Sequence, residues 1–374
     1  MKAIRLVIGF ILIFGISTTI LGQDYPSWGK LEGGKYKVGF RTIKTYDSTR
    51  TYKPEEGIKY RPLLMHLWYP TSSSSDDYMK YKAYLMLETQ RENFSNNNFE
   101  DYCNQNMRGY IDYGKKLMGN LNVSVNEVLS SPTASLSNAK PTKGKFPLII
   151  FAPSFGKSSI QNNIACEYLA SHGYIVASVA SAGENSQLMT TDEIGVLAQV
   201  QDIEFLINYL KFKDNIDSSK IGTLGYSWGG FSIIIHQMRN NDVKAVASWD
   251  GSIEYHGYGI AKNMKDFKSD RLKIPYIFFS NKNEDYTEFP FYKSVSNNKK
   301  YLYRCNKLEH AEFTSYWTTF GTAKTNASFY ELESYKNICE YTLVFFDIYL
   351  KDKKSMVKKL ENLNTELITT VNVN

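Results

Sequence analysis

Histidine and cysteine are both scarce in this chain: its 374 residues include five histidines and four cysteines. The cysteines are too far apart along the sequence to match a metal-binding spacing, and no His-Glu-x-x-His segment or paired carboxylate ligands occur. We therefore expect no metal and no cofactor. We expect buried free thiols, since Cys166 and Cys305 fall in apolar stretches where a thiol behaves as a small core side chain. Disulfide pairing is the alternative. The four are Cys103, Cys166, Cys305 and Cys339.

Long blocks of one charge are absent as well. The formal net charge is +6, and Lys2 and Arg5 near the N-terminus contribute to it. No basic block is interleaved with aromatic residues, so we expect no nucleic-acid partner. The most basic stretch, residues 351–359, is typical of the solvated end of a helix, although it leaves peripheral membrane contact open. The sequence carries no signal for an oligomeric state.

The N-terminus has the parts of an export signal. Lys2 and Arg5 give it a positive start, residues 6–16 are apolar, and small and polar residues lead to a cleavage point at Gly22-Gln23. We predict a signal peptide over residues 1–22 and an exported mature chain, periplasmic or secreted. The alternative is an N-terminal membrane anchor, because the apolar run is just long enough for a span.

The middle of the chain alternates buried strands with helices. Apolar runs at 147–152, 174–179, 220–225 and 243–249 are separated by helical stretches, the longest over about 191–212. This alternation is typical of a parallel sheet with helices on both faces, and it predicts an α/β fold. Sites in such sheets lie at the carboxyl ends of the strands.

Residues 78–137 precede this alternation and have a different composition. A polar, tyrosine-rich stretch to about residue 129 is predicted to be helical in pieces, and a Ser/Pro/Lys linker follows. We interpret them as a cap-like insert and linker within one domain that covers residues 23–374. The insert could act as a mobile lid over the site or as a packed structural cap.

The nucleophile candidate is Ser227, in Gly225-Tyr226-Ser227-Trp228-Gly229. This G-x-S-x-G pattern follows a buried strand and precedes a helix, which is the setting of a nucleophile elbow. Glycines two residues either side of the serine let strand and helix approach closely around a strained turn. The pattern predicts the α/β-hydrolase fold.

Two histidines compete for the role of base. His66, His172 and His236 fall within or at the end of predicted strands and helices, so we expect them to be packing or capping residues. His310 follows the last apolar core strand, where hydrolases of this fold carry their histidine. His256, in a Tyr/Gly loop, is its main rival.

Two aspartates compete for the role of acid. Asp250 directly ends the apolar strand after Ser227, whereas Asp285 lies in a polar run after the next strand. Either one could instead be an ordinary turn residue.

Several segments resemble the plasma-type platelet-activating factor acetylhydrolase family, whose members are calcium-independent serine esterases. They are Tyr36-Lys37-Val38-Gly39-Phe40, Leu67-Trp68-Tyr69-Pro70, Ala170-Ser171-His172-Gly173-Tyr174, the serine motif, and His310 with Phe313. The resemblance covers roughly residues 33–350 outside much of the insert. It favours Asp250 as the acid and short-acyl or oxidised phospholipids as substrates. The oxyanion loop departs from the family, because Pro153-Ser154-Phe155-Gly156 replaces His-Gly-x-Gly.

These observations predict a serine ester hydrolase with the triad Ser227, Asp250 and His310. We expect the backbone N–H groups of Phe155 and Trp228 to form the oxyanion hole. The substrate would be a small ester or a phospholipid. A generic carboxylesterase, a serine peptidase or amidase, and a non-catalytic binding protein of the same fold are the alternatives.

Overall fold

The computed structural model describes residues 26–109, 112, 124–283, 288–297, 299–322 and 329–373. The strands form one ten-stranded sheet in the order β10-β9-β8-β7-β6-β4-β5-β2-β1-β3. They are β1 (Lys37–Lys53), β2 (Ile58–Thr71), β3 (Ser135–Ser137), β4 (Phe146–Ala152), β5 (Ile175–Ser178), β6 (Ile216–Tyr226), β7 (Ala245–Trp249), β8 (Tyr276–Ser280), β9 (Lys300–Cys305) and β10 (Ile368–Thr370).

The α-helices of the described residues cover the sheet and its edges. They are α1 (Tyr81–Glu88), α2 (Phe99–Tyr102), α3 (Val125–Ser130), α4 (Asn163–Ser171), α5 (Glu193–Leu210), α6 (Trp228–Arg239), α7 (His256–Ala261), α8 (Pro290–Ser294), α9 (Ser315–Thr322), α10 (Phe329–Leu350) and α11 (Val357–Glu361). The leader predicted over residues 1–22 lies outside the described residues, and none of the helices within them has the length and apolar character to span a bilayer.

The middle of the sheet is parallel. Every strand pair from β5 through β4, β6, β7 and β8 to β9 runs parallel, whereas β2 joins β5 and β10 joins β9 in antiparallel fashion. Successive residues of β4 face opposite cores: Ile149 and Phe151 pack in one cluster, Leu148 and Ile150 in the other. Helices α4 and α10 cover the first face, and α5 and α6 the second. The predicted, mostly parallel sheet with helices on both faces is confirmed.

The second strand is longer than the sequence predicts. The apolar run of residues 63–68 predicts a strand that stops at Tyr69-Pro70, but β2 continues to Thr71, with Pro70 opposite Val38 of β1. The pairing of β2 with β5 covers only the stretch from His66 to Trp68. Pro70 therefore lies where β2 has only one neighbouring strand, and a missing N–H is tolerated there.

The insert is helical in pieces, and its described part is packed on the main domain. Tyr84 of α1 is fully buried, and its hydroxyl donates to the carboxylate of Glu167 on α4 at 2.7 Å. Leu85 and Met107 are buried in the same core. Tyr84, Leu85 and Met107 thus anchor the described part of the insert in this core. Residues 110, 111 and 113–123 of the insert lie outside the described residues.

The cysteines are free thiols, as expected. Cys166 lies in α4 and Cys305 in β9; both are buried, as is Cys339, while Cys103 is half-buried. Burial raises the pKa of the Cys166 and Cys305 thiols. These two thiols therefore stay protonated and contribute to the core as small apolar side chains.

Candidate active site

Ser227 occupies a tight turn between β6 and α6. Its φ of 56° and ψ of −119° are strained for a residue with a Cβ. The flanking glycines explain how strand and helix come so close. A Cβ on Gly225 would lie 2.4 Å from the Gly229 carbonyl oxygen, and one on Gly229 would lie 2.0 Å from the Ala152 carbonyl oxygen. The G-x-S-x-G spacing is therefore required sterically.

The structure brings Ser227, His310 and Asp250 together in one chain of hydrogen bonds. His310 Nε2 lies 2.9 Å from Ser227 Oγ, and His310 Nδ1 lies 2.5 Å from Asp250 Oδ2. Asp250 is fully buried, Ser227 is 8% exposed, and the His310 side chain is 49% exposed. The hydrogen-bond order serine–histidine–carboxylate is that of an activated nucleophile.

His310 is fixed by its backbone as well as by its ring. The Tyr226 hydroxyl donates to the His310 carbonyl oxygen at 2.7 Å, and the two rings pack 5.2 Å apart. Tyr226 stacks in turn on Phe313. Tyr226, the residue before Ser227, thus holds the His310 loop at the end of the sheet.

The Asp250 carboxylate has three further donors, which the sequence did not reveal. Oδ1 accepts from the Tyr255 hydroxyl at 2.5 Å and from the Asn281 N–H at 3.0 Å, and Oδ2 accepts from Asn281 Nδ2 at 2.9 Å. Burial and the neighbouring carboxylate raise the pKa of the Tyr255 phenol, which keeps it a donor. Asn281 directly follows β8, the neighbour of β7, and that position was the available signal for it.

The rival candidates are placed differently. His256 is exposed, and its ring stacks on Trp228 at 6.4 Å, whereas the imidazole on Ser227 is that of His310. Asp285 lies outside the described residues. His66 and His236 are buried, as packing residues would be, and burial lowers the pKa of His66 to about 3.

The two predicted oxyanion donors belong to different elements, the start of α6 and the loop after β4. Trp228 is the first residue of α6, where backbone N–H groups have no partner within the helix. Phe155 lies in the loop after β4, and its ring packs edge-on against Trp228 at 5.5 Å. Side chains hold this loop: Ser154 Oγ donates to Gln161 at 2.8 Å, and the Gly156 N–H lies 3.1 Å from Met189 Sδ. This loop, Pro153-Ser154-Phe155-Gly156, stands where the resembling family has His-Gly-x-Gly.

Two family models match parts of the chain. The model of the dienelactone hydrolase family matches residues 136–286, and that of platelet-activating factor acetylhydrolase, isoform II, matches residues 31–192. No curated protein matches the chain.

A solved structure shares the fold. The ferulic acid esterase from Streptomyces cinnamoneus superposes with a TM-score of 0.63 over 90% of this chain and 97% of that one, at 19% identity. Identity this low shows a common fold alone. The model match over residues 31–192 confirms the resemblance to the platelet-activating factor acetylhydrolases found in the sequence, and the chain has the α/β-hydrolase fold.

Proposed function

We propose that the chain is a serine carboxylic-ester hydrolase that works through an acyl-enzyme. The observation that carries this proposal is the position of His310, within hydrogen-bond distance of both Ser227 Oγ and the buried Asp250 carboxylate. The strained elbow that presents Ser227 supports it. His66 and His172 also contact a serine hydroxyl, that of Ser159 and of Ser171, but neither of those serines has a positive φ.

In the proposed mechanism, His310 Nε2 removes the Ser227 proton as Oγ attacks the ester carbonyl carbon. Asp250 accepts a hydrogen bond from His310 Nδ1, which holds the tautomer with Nε2 free and stabilises the imidazolium. The imidazolium then protonates the leaving alcohol. Water attacks the acyl-enzyme by the same steps and releases the acid.

The N–H groups of Trp228 and Phe155 would stabilise the negative oxygen of the two tetrahedral intermediates. A single donor of this kind contributes about 3–4 kcal/mol in serine hydrolases. The positive end of the α6 backbone dipole acts in the same direction, because Ser227 stands at the helix N-terminus.

For substrates we propose small esters with a short acyl group, among them acetylated or oxidised phospholipids. The match to platelet-activating factor acetylhydrolase over residues 31–192 supports this choice. The solved relative is named a ferulic acid esterase, and aryl esters therefore belong in the comparison. The exposed Phe155 and His256 rings beside Trp228 form an aromatic rim next to the nucleophile that could contact either kind of substrate.

The test is turnover of a substrate panel by purified protein. The panel contains p-nitrophenyl acetate, p-nitrophenyl decanoate, an acetylated and a long-acyl glycerophosphocholine, a feruloyl ester and p-nitroacetanilide. We expect the acetyl esters to react fastest and the anilide to resist. An anilide cleaved as readily as the ester would indicate an amidase or peptidase. No turnover of any member would indicate a binding protein.

A further inference from the structure

A buried glutamine joins the two halves of the proposed oxyanion site. Gln199, on α5, is 2% exposed. Its Nε2 donates to the Pro153 carbonyl oxygen at 2.9 Å, and its Oε1 accepts from Ser232 Oγ at 2.7 Å. Pro153 opens the loop that carries Phe155, and Ser232 lies one turn into the helix that Trp228 begins. One side-chain amide therefore contacts both elements.

The chemistry of the partners fixes the direction of these bonds. A carbonyl oxygen can only accept, so the end of Gln199 that faces Pro153 must be its NH₂ group. The carbonyl end then faces Ser232, whose hydroxyl donates to it in preference to the Trp228 carbonyl at 3.3 Å. An amide is suited to this place because it donates at one end and accepts at the other. A buried group with either end unpaired is unfavourable.

The loop after β4 lies very close to the first turn of α6. A Cβ on Gly229 would lie 2.7 Å from the Pro153 carbonyl oxygen, the atom that Gln199 binds. The proposed donors, the N–H groups of Phe155 and Trp228, lie within two residues of Pro153 and at the start of α6, respectively. The distance between these two N–H groups therefore depends on how closely the loop approaches α6, and Gln199 joins the loop to α6.

We infer that Gln199 is a positioning residue that sets the separation of the two oxyanion donors. This inference rests on the proposed function, because it assigns Gln199 a role in the same reaction. The Gln199 amide binds Pro153 and Ser232, and it acts through the loop and the helix that carry them. Misplacement of a catalytic group by about 1 Å can lower a rate about 100-fold. Loss of the bridge should therefore lower kcat about 10- to 100-fold and leave KM within about twofold.

The test compares Gln199→Met, Gln199→Glu and Ser232→Ala with wild type and with Gln201→Met as a matched control. Gln201 lies on the same helix and contacts Arg50 instead of the site. Two rates are measured: kcat on p-nitrophenyl acetate and phosphonylation by a fluorophosphonate, whose phosphoryl oxygen enters the oxyanion site. Both should fall together in Gln199→Met, by less in Ser232→Ala, and not in Gln201→Met. Denaturant unfolding shows which variants are folded at the assay temperature.

Gln199→Glu supplies a measurement that a merely structural role would not change. An ionised carboxylate cannot donate to the Pro153 carbonyl, whereas a protonated carboxyl group can. The activity of this variant relative to wild type should therefore rise as the pH falls, while the ratio for Gln199→Met stays flat. A flat ratio for both variants would contradict the inference.

Different results would overturn the proposed esterase function and the positioning role of Gln199. Wild-type protein that turns over no ester and does not react at Ser227 overturns the proposed function and this inference with it. Active wild type together with a folded Gln199→Met that keeps both rates within twofold overturns the inference alone.

Discussion

Asp250 is buried completely, and four hydrogen bonds reach its carboxylate. Donors on both oxygens hold this buried carboxylate in one orientation. Its backbone φ of 45° is unusual for a residue with a Cβ, and it aims the side chain back across the ends of β7 and β8. The residue therefore has the geometry that a triad acid requires.

We expect Asp250→Asn to lower kcat by up to about 10⁴-fold, because the amide favours the wrong histidine tautomer. The measurement is steady-state turnover of p-nitrophenyl acetate, with circular dichroism as the check on folding. Asp285→Asn, the matched control, should change kcat only modestly. The opposite ranking of two folded variants would show that Asp285 is the acid.

Tyr255→Phe should lower kcat about 10- to 150-fold, since a hydrogen bond to a charged group contributes about 1.5–3 kcal/mol. The substitution removes the hydroxyl that lies 2.5 Å from Asp250 Oδ1 and keeps the ring. Tyr258→Phe, three residues on in the same segment, is the control and should keep full activity. Equal activity of the two variants would mean that the Tyr255 hydroxyl does not support the acid.

At the scale of elements, the turn after Asp250 is joined to α8 by a second buried carboxyl group. Glu254 Oε2 accepts from the Tyr292 N–H at 3.0 Å, and Oε1 lies 3.3 Å from the Tyr276 hydroxyl. Burial raises the pKa of Glu254 to about 8. Because the folded-state pKa lies above the ordinary value of 4.5, the folded chain binds this proton more tightly than the unfolded chain does.

The sign of the pH dependence follows from that difference. The contribution of Glu254 to stability is fully present below about pH 4.5 and is lost as the pH rises through about 8. Gln at this position cannot ionise. We expect the unfolding free energy of Glu254→Gln, relative to wild type, to increase by a few kcal/mol between pH 5 and 9. Urea unfolding at several pH values measures it, and a difference independent of pH would contradict this account.

The side chains that lie together at this site differ in how far the sequence predicts their positions. Ser227 has a local signature, because close packing of strand and helix demands its glycines. Asp250 and His310 follow strands whose carboxyl ends meet at one edge. Gln199 acts across the fold from the middle of an amphipathic helix, and nothing in its neighbourhood along the chain distinguishes it from an ordinary helical glutamine. The Tyr255 hydroxyl similarly reaches the Asp250 carboxylate through a turn that the sequence does not specify.

The strands and helices also differ in whether a local pattern or the pairing of the whole sheet decides them. The parallel strands and the helices α5 and α6 could be predicted from their apolar patterns. The extension of β2 past Pro70 and the pairing of β3 with β1 depend on which neighbour each strand has, and that is decided by the whole sheet.

At the scale of the whole molecule, we propose that the chain is exported and that its leader is removed near Gly22-Gln23. The positive start and apolar run of residues 1–22 motivate the proposal. Intact-mass analysis of protein from the native host should give a chain that begins close to Gln23. A mature chain that still begins at Met1 would indicate an N-terminal anchor.

The central claim is that Ser227 is the nucleophile of an ester hydrolase. The most direct measurement is peptide mapping by mass spectrometry after reaction with a fluorophosphonate, with residual esterase activity followed in parallel. We expect one label per chain, on Ser227, with activity lost in proportion to labelling. The Ser227→Ala variant should be neither labelled nor active. A label on a different serine, or ester turnover that survives in Ser227→Ala, would contradict the account.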